Sequence, residues 1–197
     1  KIFSKNLGRS LLRMVANIEG CFRVWNVCFV TSVGDQKPNE NKILRESDRI
    51  KILISSHCFY DNPHAYGGCL FLDFYEWLCF LGKISEKTDY DWYIKIHPDY
   101  RPGTLEIIKD IVFKYPKISI IPHDSSHLQL AKEGIDFVLT VHGTVGLEYP
   151  GLGKQVINAG NNPRIAYDFN WHPRTVEEYE KYLLDLNSLH LDINLDD

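Results

Sequence analysis

No stretch of the 197 residues approaches the ~20 consecutive apolar positions of a membrane-spanning helix, and no signal peptide is visible. An excess of basic residues is also missing. Lys and Arg number 22 against 26 Asp and Glu, a formal net charge of -4, which argues against a nucleic-acid partner. Cysteine is sparse and odd in number: Cys21, Cys28, Cys58, Cys69 and Cys79, with no CxxC pair. That count suits neither a closed disulfide framework nor a zinc ribbon, and reads as reduced core thiols in a cytoplasmic protein. No Gly-x-Gly-x-x-Gly follows a strand, and there is neither a Walker loop nor a Gly-x-Ser-x-Gly elbow. Nicotinamide binding, P-loop chemistry and α/β-hydrolase chemistry therefore lack their signatures. His123, Asp124 and His127 are close in sequence, but their spacing fits no standard zinc pattern. Internal repeats and low-complexity segments are absent as well.

What is present is a globular composition, 44% hydrophobic and 24% charged, long enough for one α/β domain with an extra arm. The chain begins at Lys1 rather than Met, which fits a piece processed or excised from something longer. Residues 1–19 have helical spacing with basic residues on one side, 21–33 are apolar and β-branched, and 34–49 are polar. These predict an N-terminal helical arm and linker over 1–49, ahead of one domain over 50–197.

From Ile50 a regular alternation sets in. The patterns predict strands over 50–55, 91–96, 117–121, 135–141 and 154–159. Helices are predicted between and after them, over 69–84, 103–115, 125–133, 144–151 and 175–187. Thr175 and Glu178 have the spacing of a capping box. Short strands alternating with helices predict a Rossmann-like parallel sheet with helices on both faces.

The residues that carry chemistry fall after the predicted strands, where a parallel sheet holds its ligands. Lys95-Ile-His97-Pro98 ends one strand; Pro98 stops it and leaves His97 at the carboxyl edge. His97 can donate to a phosphate oxygen with Lys95 in support, or simply bond a neighbouring loop. In Thr140-Val-His142-Gly143-Thr144-Val-Gly-Leu-Glu148, Gly143 permits close backbone approach. Thr144 can cap the following helix or meet a phosphate, the helix's first turn attracts anions, and Glu148 can accept from ribose hydroxyls. An ordinary capped strand-to-helix turn is the alternative. Ser55-Ser56-His57 opens a polar, aromatic-rich loop in which Ser56 and His57 are candidate phosphate or sugar contacts and Asp61 a candidate acid/base group, or else the loop is a surface segment that caps the next helix. Arg164, after the last strand, is a candidate partner for phosphate or a sugar carboxylate, or else a solvated loop residue.

Taken together, Lys95-Ile-His97-Pro98, His142-Gly-Thr-Val-Gly-Leu-Glu148, Gly153-Lys-Gln-Val156 and Gly160 resemble the C-terminal half of bacterial capsule and surface polysaccharide glycosyltransferases, the capsular Kdo transferases above all. The likeness covers roughly residues 50–187. It implies one half of a GT-B fold and a nucleotide-sugar donor, a CMP-sugar first, bound as substrate with no separate cofactor or metal. His97 would hold phosphate, Thr144 phosphate or ribose, and Glu148 ribose or base. A glycan acceptor, a separate N-terminal acceptor domain carrying the base, and capsule-assembly machinery at the inner face of the membrane are the implied partners. Where the family has Ser-Ser or Ser-Thr, this chain has Gly143-Thr144. A sugar-nucleotide 2-epimerase, a CDP-alcohol glycerophosphotransferase and a non-catalytic nucleotide-binding module fit the same residues.

Overall fold

The computed structural model describes residues 38–191, Asp99 excepted. The expected N-terminal arm lies outside the described residues, as do Cys21 and Cys28. Five strands form the sheet: β1 (Lys51–Ser55), β2 (Asp91–Lys95), β3 (Ile118–Ile121), β4 (Phe137–Thr140) and β5 (Gln155–Asn158). Their order is β3-β2-β1-β4-β5, every pair is parallel, and β1 lies centrally, with Leu53 opposite both Tyr93 and Val138. The helices are α1 (Phe74–Lys87), α2 (Thr104–Lys114), α3 (His127–Lys132), α4 (Val145–Gly151) and α5 (Val176–Leu184), with a 3-10 turn over Leu186–Ser188. No helix among the described residues is long and apolar enough to cross a membrane. Cys58, Cys69 and Cys79 are free thiols.

Alternation along the strands divides the core in two. Ile52 and Ile54 of β1, Trp92 and Ile94 of β2, and Ile157 of β5 pack with Trp77, Leu81, Ile108, Tyr179 and Leu183 of α1, α2 and α5. Their neighbours Leu53, Tyr93, Val138 and Val156 face the other way, onto Leu130 of α3 and Val145 and Tyr149 of α4. This is the Rossmann-like arrangement, helices covering both faces. Continuous burial along β2 and β4 explains why those strands read as apolar runs rather than alternating ones. The large aromatics keep their polar ends satisfied: the Trp77 indole donates to Tyr179 Oη at 3.1 Å and the Trp92 indole to Thr88 Oγ1 at 3.1 Å.

Boundaries differ from the sequence expectation where capping decides them. The helix expected over 69–84 begins at Phe74, because the Asp73 carboxylate accepts from the Glu76 N–H and starts it there. The preceding residues are used otherwise: Cys69 bridges to Gly160, and Leu70 N–H donates to Ala159 O at 2.9 Å. Ser126 caps α3 through the Gln129 N–H. Thr175 caps α5 through the Glu178 N–H, while the Glu178 carboxylate reaches back to the N–H of Arg174 rather than that of Thr175, a displaced form of the capping box.

Gly82 shows how closely α1 and α2 meet. A Cβ there would stand 2.1 Å from Cδ2 of Tyr115, a residue that is itself buried. Gly82→Ala should therefore cost about 1–3 kcal/mol in urea unfolding, even though alanine is the better helix former. A more stable variant would show that the two helices do not meet this way.

Candidate functional site

The strand order reverses at β1. The chain leaves β1 toward β2 and α1 on one face, and leaves β4 toward β5 and α4 on the other. The carboxyl ends of these adjacent strands thus diverge and leave a crevice, the usual ligand position in an open parallel sheet. His57 stands directly above it. The Val141 N–H donates to His57 Nε2 at 3.1 Å, which makes that nitrogen an acceptor. Thr140 Oγ1 lies 3.0 Å from the same atom and accepts from the Gly143 N–H, also at 3.0 Å. Phe74 stacks on the imidazole at 4.6 Å, and burial holds its pKa well below the usual value, so the ring stays neutral. Gly143 is needed for the turn to close, since a Cβ there would stand 2.8 Å from Thr140 Oγ1.

The loop after β2 joins the same edge. The His97 N–H donates to Ser56 Oγ at 3.2 Å, and Ser56 N–H donates to Lys95 O at 3.1 Å. The half-buried His97 ring exerts its charge on His57. Thr144 is exposed at the start of α4, and its side chain makes no cap hydrogen bond, contrary to the capping role open to it in the sequence. Asp61 is exposed on the β1–α1 loop, where its charge raises the pKa of His142 against the lowering effect of burial. The His142 ring lies 4.5 Å from that of His57.

Lys95 takes a different direction from His97. It is 3% exposed and faces α3 and α4, with Nζ 3.1 Å from His127 Nε2. The ammonium donates, so His127 carries its proton on Nδ1 and gives it to Tyr149 Oη at 3.0 Å. Burial pulls Lys95 down to about 8, opposed by the charges of Glu148 and Asp124. Glu148 is fully buried in the same region, and its charge also reaches Arg164. The Arg164 Nη2 donates to His142 O at 2.8 Å and to Gly143 O at 2.7 Å, tying the loop after β5 to the turn after β4.

Ser56, His57, His97, Gly143 and Arg164 are thus joined directly or through one shared neighbour. Thr144 and Asp61 stand at the rim, and Lys95 and Glu148 lie behind, on the α4 side. The anion attraction expected from the α4 N-terminus is weak, because α4 has seven residues with Pro150 among them. Thr140, His127 and Tyr149 belong to these networks and were given no role from the sequence. His127 was legible only as part of the failed zinc pattern. The others meet their partners across chain separations that no local spacing reveals.

A scan against protein-family models finds no match, and neither does a search of the curated proteins.

Burial pushes His127 down to about 3 and His172 to about 4. In the unfolded chain both titrate near ~6.5, so as the pH falls the unfolded state takes up protons first. Their contribution to stability is complete above that pH and is lost as pH drops from 6.5 toward 4. Each contributes a slope of up to about 1.4 kcal/mol per pH unit in that window. His127→Gln, which can still accept from Lys95 and donate to Tyr149, should flatten the acid limb in urea unfolding between pH 7.5 and 5. An unchanged slope would contradict the burial of a neutral imidazole there.

Proposed function

We propose that this chain is the donor-binding half of a glycosyltransferase of capsular or surface polysaccharide assembly, taking a nucleotide-activated sugar, a CMP-sugar first, in the crevice between the carboxyl ends of β1 and β4. The observation that supports the reading best is the convergence at this crevice of three loops bearing the motif residues: Ser56 and His57 after β1, His97 after β2, and Gly143 and Thr144 after β4. These groups come from three separate stretches of sequence.

The chemistry runs as follows. An acceptor hydroxyl oxygen attacks the anomeric carbon, the bond from that carbon to the phosphate oxygen breaks, and the nucleotide leaves with the electron pair. His97 and the exposed Thr144 hydroxyl face the departing phosphate, and the Lys95 ammonium adds positive potential from behind the crevice. The acceptor's proton goes to a carboxylate. Within this chain Asp61 is that candidate, at the mouth and within electrostatic reach of His142; a base on a separate N-terminal domain is the other arrangement. Arg164 serves this site by holding the carbonyls of His142 and Gly143 rather than by meeting phosphate through Nη2. The protein would work in the cytoplasm at the inner face of the membrane, on a glycan acceptor.

Exposed aromatics over 69–84 would favour the non-catalytic alternative. Phe74 and Trp77 are buried in the core, and of the aromatic residues in α1 only Tyr75 is exposed, which removes most of that support.

Calorimetric titration with CMP, CDP, UDP and GDP tests the reading. One nucleotide should bind selectively, and His97→Ala should weaken it about tenfold or more, roughly 1.4 kcal/mol. Binding by none of the four, or binding indifferent to His97, would overturn it.

A further inference from the structure

On the β3 side of the crevice, the loops after β1, β2 and β3 stand next to one another at the carboxyl edge of the sheet. Four exposed side chains from these loops meet there in two pairs. Arg101, after β2, holds its guanidinium carbon over the ring of Tyr60, after β1, 6.0 Å from the ring centre. Tyr100, also after β2, sets its ring edge-on to that of His123, after β3, with centroids 5.9 Å apart. Tyr60 is 69% exposed and Tyr100 41%, and Arg101 and His123 are exposed as well. Exposed rings scattered singly need no account, but rings gathered from separate stretches of chain mark a binding surface.

Closed turns present these side chains. The Asp61 N–H donates to Cys58 O at 3.0 Å around Tyr60, and the Tyr100 N–H to His97 O at 3.2 Å. The Thr104 N–H donates to Arg101 O at 3.1 Å, and the Ser125 N–H to Pro122 O at 3.1 Å around His123. Pro98, Pro102 and Pro122 fix the backbone within the same turns. A surface ordered before its ligand arrives loses less entropy on binding. Carboxylates are interleaved with the rings: Asp61 follows Tyr60 and Asp124 follows His123, both exposed.

We infer that the patch of Tyr60, Tyr100, Arg101 and His123 binds the sugar rings of the glycan acceptor. Its place in the reaction rests on the glycosyltransferase reading, whereas its chemistry does not. A sugar ring presents C–H groups on its faces, which pack on the negative face of an aromatic ring. Around its rim are hydroxyls, which both donate and accept. The patch answers both needs: Tyr60 and Tyr100 offer rings, Arg101 and His123 offer donors, and Asp61 and Asp124 offer acceptors. Cations and carboxylates alternate, so no excess of positive charge suits a polyanion. The core of a protein interface is depleted in both. The Tyr100 turn closes on the carbonyl of His97, and Asp61 follows Tyr60. A sugar stacked on these rings therefore lies beside the candidate phosphate contact and the candidate base. Acceptor recognition then resides partly in this chain rather than wholly on a separate domain.

The test follows the ring signals of Tyr60 and Tyr100 and the Arg101 Nε–H signal by NMR on the full chain. The probes are cellotetraose, chitotetraose, maltotetraose, a sulfated heparin oligosaccharide and CMP. At least one of the three neutral oligosaccharides should move these signals. Tyr60→Ala should weaken that response about tenfold, while Tyr60→Trp, which keeps a stacking face, should retain it. Phe113→Ala, which removes an exposed ring from the far end of α2, should leave it unchanged. If no neutral oligosaccharide moves the signals, or Tyr60→Ala leaves the response intact, the inference is overturned. A response to heparin alone would overturn it in favour of simple anion attraction. Larger ring shifts with CMP than with any oligosaccharide would overturn it in favour of base stacking. CMP shifts at Ser56 and His97, with Tyr60 and Tyr100 still under every glycan, would overturn the patch and spare the nucleotide reading. Glycan shifts at the two rings with no nucleotide binding anywhere would do the reverse.

Discussion

The carboxyl edge of the sheet hangs on one acceptor atom, His57 Nε2. Adjacent parallel strands that continue onto opposite faces must part at their ends, and the first polar groups past β1 and β4 lose their ladder partners there. His57 restores the connection. It takes the Val141 N–H that the ladder leaves unused and lies within hydrogen-bond distance of the Thr140 hydroxyl, which in turn closes the Gly143 turn. The imidazole serves only if it is neutral, and burial against Phe74 keeps it so. The position of Gly143 and Thr144 relative to Ser56 and His97 follows from this lock.

Charge is arranged in depth behind that edge. Hydroxyl and imidazole groups are at the crevice, while the formal charges of Lys95 and Glu148 are buried on the α3–α4 side. Lys95 is bound to the His127–Tyr149 pair, and each buried charge moderates the other's cost. Such an arrangement supplies potential without a mobile side chain in the site. With only seven residues α4 contributes little dipole, and Lys95 and Arg164 are cations near this edge.

The repeating part of the fold was legible because its signals are local. Buried runs such as Ile52–Ile54 and Phe137–Thr140, each followed by turn residues, give the strands and their parallel class. Side chains that cap helices set boundaries more finely than periodicity does, which is why Asp73 moved the start of α1 past a continuous apolar run. The candidate site was legible as a set of strand-end residues, since topology brings strand ends together whatever their separation in sequence. Its internal wiring was not. His57 meets Thr140 across 83 residues and Lys95 meets His127 across 32, and no spacing rule reports such pairs.

A crystal structure of the chain with CMP bound tests the central claim most directly, that the ligand site is the β1–β4 crevice. The phosphate should lie against His97 and Thr144, with His57 still bonded to Val141 and Thr140. Density for the nucleotide anywhere else on the molecule, or a His57 displaced from Val141 to meet it, would contradict that claim.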